Sequence, residues 1–302
     1  MPSGHDVEWF KSLMEKWDWA VRLPNDELFF TEGIGPCLWQ RNIDFDMGVS
    51  GTTLQSYYDR ITSSLTDYES KEVFRSLFHA SQEEHTVSYC RNLGRRSQYF
   101  DVAALMPGDV VINGGVGTGA ELPILAGLLE GSGKIISFDP LGFASLNENA
   151  LGSIRAFPNL HRLEAGGLAN YTGPGKFPLD GGHAVGSRLN ALAEPHARSI
   201  EVQVHRFDDY VREHGLTSVD FIKMDLEGGE MMAIDGMKET IEHFEPVIAA
   251  SIYHSIPEYF FVPLQLISLC RNHRFFVRSY GSHCNETMFY AVPHSRPLVT
   301  MS

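Results

Sequence analysis

Apolar residues recur at helical spacing along the first hundred residues of the chain. Two amphipathic helices are predicted, with stripes at Phe10, Leu13, Met14, Trp17 and Val21 and at Leu54, Tyr58, Ile61 and Leu65. A third is predicted from Thr66, whose hydroxyl would cap the first turn while Glu69 reaches back to complete a capping box. Strand patterns are scarce here, and we predict a helical amino-terminal region over residues 1–105.

From Pro107 onward, short apolar runs alternate with amphipathic segments. Strands are predicted at 109–112, 135–138, 160–163, 200–206, 219–224 and 247–252. Helices are predicted between them, one with Pro123 in its first turn and one with a capping box of Ser145 and Glu148. A repeat of strand and helix builds a mostly parallel sheet. We therefore predict a second domain of α/β class over residues 106–302.

Two segments depart from this repeat. Residues 165–199 are too rich in Gly and Pro for a regular element, and they predict a long loop, either functional or a disordered insertion. The chain ends in two predicted strands, 275–280 and 287–292, whose connection is too short for a parallel crossover. A Rossmann-like sheet that ends in an antiparallel hairpin resembles the class I methyltransferase variant of the doubly wound fold.

The charge of the chain indicates which classes of partner it is expected to bind. The chain of 302 residues carries 24 Lys and Arg against 38 Asp and Glu, a formal net charge of −14. Such a surface repels phosphate backbones and anionic lipids, so nucleic acid and membrane partners are disfavoured. No signal peptide or membrane-spanning apolar run is evident, and the four scattered cysteines form no metal motif. We expect a cytoplasmic protein.

A glycine-rich turn follows the predicted strand at 109–112. Glycines at such a turn let the backbone approach a ligand closely, so the candidate cofactor-binding residues are Asn113, Gly115, Gly117 and Gly119. Asp139, at the tip of the next strand, would accept hydrogen bonds from ribose hydroxyls. The spacing fits NAD or S-adenosylmethionine (SAM), since both contain ribose, and a turn that binds nothing is the alternative.

Three acids follow another buried strand, in the run VDFIKMDLEGGE. Asp225, Glu227 and Glu230 lie beyond the carboxyl end of that strand, which is the edge where open α/β sheets bind ligands. Glu227 or Glu230 could instead complement the positive end of the next helix.

The run VDFIKMDLEGGE, the later PVIAASIYH and the earlier SQYFD resemble the FkbM family of SAM-dependent methyltransferases. The likeness covers roughly residues 60 to 293. It implies a class I methyltransferase fold, SAM as the donor, and a hydroxyl acceptor on a sugar or secondary metabolite. By position, the three loop glycines take the donor-binding role, Asp139 the ribose role, and Asp225, Glu227 and Glu230 form the acidic motif. Asn113 stands where this loop usually begins with an acid, and Asp139 where the family more often has Glu.

Transfer of a methyl group to an alcohol requires a general base beside the acceptor hydroxyl. The candidate catalytic residues are Asp225, Glu227, Glu230 and His254, the last of which follows a predicted strand. Clustered carboxylates leave Mg²⁺ open as an additional requirement. Ser187 and Arg188 are candidates for contact with the acceptor. The oligomeric state stays open, and an NAD(P)-dependent oxidoreductase or a non-catalytic SAM-binding protein are the alternative functions.

Overall fold

The computed structural model describes residues 51–79, 98–179, 198–254, 256–280 and 286–299. Its helices are α1 (Gly51–Ser64), α2 (Tyr68–His79), α3 (Leu122–Leu128), α4 (Glu148–Ala156), α5 (Phe207–His214), α6 (Glu230–Asp235), α7 (Lys238–Phe244) and α8 (Ile256–Leu269). Its strands are β1 (Val110–Gly114), β2 (Lys134–Phe138), β3 (His161–Glu164), β4 (Gly166–Ala169), β5 (Gly173–Leu179), β6 (Arg198–Arg206), β7 (Phe221–Met224), β8 (Val247–Ser251), β9 (His273–Ser279) and β10 (Thr287–Pro293). The helix predicted from Phe10 to Val21 lies outside the described residues.

Seven strands form the main sheet, in the order β3-β2-β1-β7-β8-β10-β9. The pairs β2–β3, β1–β2, β1–β7 and β7–β8 are all parallel. The last strand lies between β8 and β9, and its short connection from β9 permits only an antiparallel pairing. The predicted α/β fold, a mostly parallel sheet with a reversed hairpin at its end, is confirmed.

The central strands are apolar along their whole length because both of their faces are covered. Every residue of β7 and of β8 is buried, and Ile112 and Phe221 have no exposed surface. Parallel sheets bury both faces in this way, so their strands read as continuous apolar runs. The exceptions in β7 and β8 are Ser251, at the end of β8, and Lys223, a charged residue in the middle of β7 with only 3% of its surface exposed.

The loop predicted over residues 165–199 is wrong for its first half. A second sheet, in the order β4-β6-β5, uses residues 166–169 and 173–179 from that segment. Close approach explains why β4 contains glycine, since a Cβ on Gly166 would lie 2.8 Å from the carbonyl oxygen of Gln203. The prolines of β5 are tolerated because β5 is an edge strand, where a missing N–H breaks no pairing. Residues 180–197 lie outside the described part.

Both predicted capping boxes are wrong by one or two positions. At α2, the carboxylate of Asp67 accepts from Ser70 N at 2.8 Å, while Thr66 Oγ1 accepts from Phe275 N. At α4, the side chain of Asn147 accepts from Ala150 N at 2.9 Å. In each case a residue with a longer polar side chain lies closer to the first helical turn than the predicted hydroxyl, and it takes the capping position.

Contacts divide the chain into two compact units. The first comprises residues 1–101, 252–264 and 275–289, and the second comprises 102–251, 265–274 and 290–302. Spatial proximity of this kind does not test which segment folds independently, so the predicted domains 1–105 and 106–302 stay predictions. Among the described residues, no helix combines the length and apolarity needed to cross a bilayer.

Within the first unit, an aromatic and an ionic contact hold α2 in place. The rings of Phe74 and Tyr259 stack with centroids 4.4 Å apart, and the Tyr259 hydroxyl donates to Phe74 O. The guanidinium of Arg278 lies 2.6 Å from Asp67 and also donates to Ser70 Oγ. These contacts fix both the middle and the start of the helix.

Candidate functional site

The glycine-rich loop lies in the second unit, between β1 and α3. Gly115, Gly117 and Gly119 have φ values of 75°, 54° and 72°, a left-handed region that side chains disfavour. A Cβ on Gly115 would lie 1.8 Å from the carbonyl oxygen of Asp225, so glycine is required there by contact as well as by conformation. A Cβ on Gly117 would meet nothing within 4 Å. The middle of the loop therefore faces open space.

Asp139 follows β2 and binds the loop directly. Its Oδ2 accepts from Val116 N and Gly117 N, both at 3.0 Å, and its Oδ1 accepts from Leu141 N at 2.9 Å. A carboxylate can accept about four hydrogen bonds, so the three amides leave about one acceptor position of Asp139 free for a ligand. Two further hydrogen bonds from a ribose would displace one of the loop amides. The geometry thus gives Asp139 a role in shaping the loop that its spacing alone did not reveal.

Asn113 lies beneath the loop with no exposed surface. Its Nδ2 donates to Glu121 Oε1 at 2.9 Å and to Ser137 Oγ at 3.4 Å. Its Oδ1 is buried and has no hydrogen-bond partner among the described residues. Because Glu121 directly precedes α3, the amide of Asn113 connects the end of β1 to the start of the helix.

The acidic residues occupy a sharp turn between β7 and α6. Glu227 has a φ of 53° and Gly228 a φ of 100°, and Gly229 N donates to Leu226 O at 3.1 Å. Positive φ at both central residues is typical of a type I′ turn. A left-handed conformation costs a non-glycine residue about 1–2 kcal/mol. Glu227 is therefore held in a strained position at the carboxyl edge of the sheet, where such strain often accompanies function.

Glu230 is wholly buried and holds this turn together. Its carboxylate accepts from Leu226 N at 2.7 Å, from Gly228 N at 3.1 Å and from Ser251 Oγ at 2.5 Å. Three donors already occupy this carboxylate, so it has little capacity left to bind a substrate hydroxyl. These bonds position the turn, and the catalytic role that the sequence pattern predicted for Glu230 stays a prediction.

The acidic turn and the glycine-rich loop are adjacent. Asp225 N donates to Gly114 O at 3.1 Å, in addition to the close approach of Gly115 to the Asp225 carbonyl. One carboxylate oxygen of Asp225 also lies within 4.8 Å of one from Glu230. The segments that follow β1 and β7 are far apart in sequence, but they meet at one edge of the sheet.

The other predicted site residues are His254, Ser187 and Arg188. His254 belongs to the first unit and is half-buried, and its catalytic role stays a prediction. Ser187 and Arg188 lie outside the described residues. The predicted roles of Asp225 and Glu227 also stay predictions, although their place beside the loop is the one that the pattern indicated.

A protein-family comparison decides the family. Residues 119–284, more than half of the chain, match the model of the methyltransferase FkbM domain. The chain belongs to the FkbM methyltransferase family. A crystal structure of a methyltransferase FkbM from Methylobacillus flagellatus KT has a TM-score of 0.55 and 17% identity. The alignment covers 82% of this chain and 60% of the relative, which is thus considerably longer.

Two other comparisons add little to the FkbM assignment. A putative rRNA-methylase from Clostridium thermocellum is 13% identical, with 66% of this chain and 90% of that chain covered, and its TM-score of 0.40 carries no weight. No curated protein matches the sequence. For this FkbM chain, the shared fold and the family model agree with the resemblance carried by its acidic motif.

Lys223 is a residue of the candidate site that the sequence pattern did not reveal. Its Nζ donates to Gly114 O at 3.2 Å and to Gly115 O, and it lies 4.0 Å from Glu121 Oε1. A lysine inside an otherwise apolar, fully buried strand was the available signal, because lysine is almost never buried without partners.

Proposed function

We propose that this protein is a SAM-dependent O-methyltransferase that acts on a hydroxyl group of a sugar or secondary metabolite. The observation that carries the proposal is the contact between the acidic turn and the glycine-rich loop. A methyl donor on the loop and an acceptor beside the acids would then be neighbours, as a direct transfer requires. Membership of the FkbM methyltransferase family supports the reaction class.

The loop fits a nucleoside-containing donor. Its middle residue, Gly117, has open space at the position of a side chain, so a ligand can approach the backbone there. Asp139 keeps the loop in one conformation through its bonds to Val116 N and Gly117 N. When bound, SAM would supply the reactive methyl carbon. The chain itself contributes a preformed backbone cradle.

Asp225 and Glu227 are our candidates for the group that accepts the acceptor hydroxyl's proton. Both are half-buried, and both belong to the turn that contacts the loop. Glu230 fixes this turn from beneath through Leu226 N and Gly228 N. We thus propose that the buried carboxylate of Glu230 positions the turn and that Asp225, Glu227 or both accept the proton.

The direct test combines binding with turnover. We expect calorimetry to detect SAM binding, and we expect radioactivity from methyl-labelled SAM to appear in hydroxylated metabolites from a cell extract. Binding of NADH but not of SAM would indicate an oxidoreductase and refute the proposal. SAM binding without methylated product from any hydroxylated extract would indicate a non-catalytic SAM-binding protein. A parallel assay with chelator measures the contribution of a divalent cation.

Variants of the acidic turn test the proton acceptor. We expect Glu227→Gln or Asp225→Asn to lower kcat by about 100-fold, the lower end of the usual contribution of a general base. The affinity for SAM should change little. Glu213→Gln is the control, because Glu213 is exposed on α5 and has no part in the site. If both turn variants keep the wild-type kcat, neither carboxylate is the base, and His254 becomes the residue to replace.

A further inference from the structure

Lys223 contacts both ends of the glycine-rich loop. At the start of the loop its ammonium donates to the carbonyl oxygens of Gly114 and Gly115. At the end of the loop it lies 4.0 Å from the carboxylate of Glu121, the residue that precedes the first turn of α3. The side chain of Lys223 therefore lies between the first and the last residues of the loop.

The three charged and polar groups form a connected set. Glu121 Oε1 accepts from Asn113 Nδ2 and also faces Lys223 Nζ. Asn113 and Lys223 are partners in the register between β1 and β7, so their side chains belong to neighbouring positions of the sheet. The side chains of Lys223 and Glu121 are only 4% and 11% exposed, so solvent screens their attraction weakly.

Burial of a lysine is costly unless its charge is compensated. An apolar residue at position 223 would pack in the strand without that cost, as its neighbours Ile222 and Met224 do. The carbonyls that Lys223 binds sit at the point where β1 ends and the left-handed glycines begin. The lysine is thus placed where it fixes the direction of the loop rather than where it strengthens the core.

We propose that Lys223 is a positioning residue that holds the two ends of the glycine-rich loop together, with Glu121 as its counter-charge, and so sets the width of the donor site. The part of this inference that concerns the donor rests on the proposed function. The part that concerns the loop does not, because it is a property of the protein without ligand. Lys223 acts through the loop and is not a catalytic residue.

The test uses three variants of the full chain and one control. Lys223→Met keeps the length of the side chain and removes its charge and donors. Lys223→Met combined with Glu121→Gln also removes the carboxylate that the first change leaves without its cation. Glu121→Gln alone keeps the bonds of the lysine to the carbonyls. Lys134→Met makes the same change at an exposed lysine on β2 and is the control.

Hydrogen exchange of the loop amides is measured first, without ligand. We expect Lys223→Met to raise exchange at residues 115–120 by about tenfold or more, with α4 unchanged, and the double variant to show the same increase. Recovery of wild-type exchange in the double variant would mean that the lysine only balances the charge of Glu121, which overturns the proposal. Wild-type exchange in folded Lys223→Met would overturn it too.

Donor binding is measured second. We expect Lys223→Met to weaken SAM binding at least tenfold, with kcat at saturating SAM changed less than threefold, and Lys134→Met to match wild type. An unchanged affinity in a variant with faster loop exchange would refute the link to the donor site. If Lys223→Met does not fold, Glu121→Gln is the variant that tests the role of Lys223. We expect it to raise amide exchange at residues 118–121 and to leave amide exchange at Gly115 unchanged. If wild-type protein binds no SAM, the proposed function fails while the exchange result still stands.

Discussion

Replacement of Gly115 by alanine is the sharpest test of the contact between the loop and the acidic turn. The new Cβ would lie 1.8 Å from the carbonyl oxygen of Asp225 and 2.9 Å from its carbonyl carbon. Real Cβ atoms essentially never come closer than 3.0 Å to another heavy atom, so loop and turn must separate by more than 1 Å. Gly117→Ala is the matched control, because its φ is also positive but its Cβ meets nothing within 4 Å.

The two variants share one energetic cost and differ in another. A left-handed conformation costs alanine about 1–2 kcal/mol. The lower entropy of the unfolded alanine chain offsets about 0.4–1 kcal/mol of this, so Gly117→Ala should lose about 1 kcal/mol. Forced overlap in a packed region adds about 1–3 kcal/mol. We therefore expect Gly115→Ala to lose about 2–4 kcal/mol in its free energy of unfolding.

Urea denaturation gives the two stabilities, and calorimetry gives the affinities for SAM. We expect the affinity to fall by more than tenfold in Gly115→Ala. Gly117→Ala is the control for stability only, because its new methyl group would occupy the space through which the donor is proposed to approach. Surface substitutions usually change the free energy of unfolding by no more than about 0.5 kcal/mol. If the free energies of unfolding of the two variants differ by less than this, the close approach of Gly115 to Asp225 does not exist in solution. The adjacency on which the proposed function depends would then be lost.

Three further predictions concern single carboxylates. Asp139→Asn should weaken SAM binding and speed exchange at the two loop amides that Asp139 binds, those of Val116 and Gly117, whereas weaker binding with unchanged exchange would favour a direct ribose contact. Glu230→Gln should lower the free energy of unfolding by about 1.5–3 kcal/mol, since hydrogen bonds to a charged acceptor are lost, and an unaffected urea midpoint would contradict its role in the turn. Burial raises the pKa of Asp67, but the hydrogen bonds from Arg278 and Ser70 and the charge of Arg278 together outweigh this and hold the pKa below the ordinary value. A lowered pKa in the folded state stabilises the protein above about pH 4 and loses that effect as the pH falls, so the melting temperatures of wild type and Asp67→Asn should converge between pH 6 and pH 3, and a constant gap would disprove the linkage.

The elements that the sequence predicted well are those whose pattern depends on local burial. The apolar run from Val219 to Met224 and the strand at 247–252 were found within two residues of their ends, because a strand buried on both faces has a continuous apolar signature. The helix predicted between the strands at 200–206 and 219–224 is Phe207–His214, and it ends at a left-handed Gly215. Segments 166–169 and 173–179 were missed because pairing with a distant strand, and not local propensity, makes them strands.

The candidate site also has features that local sequence predicts and features that only the tertiary structure decides. A glycine-rich turn and an acidic run after a strand are local features, so the sequence alone determined where this loop and the carboxylates would lie along the chain. Only the tertiary structure decided what each side chain does there: Asp139 binds loop amides, Glu230 holds the acidic turn, and Lys223 lies under the loop. Those roles depend on distances between strands that are far apart in the chain, and hydrogen bonds of a few ångströms leave no trace in sequence spacing.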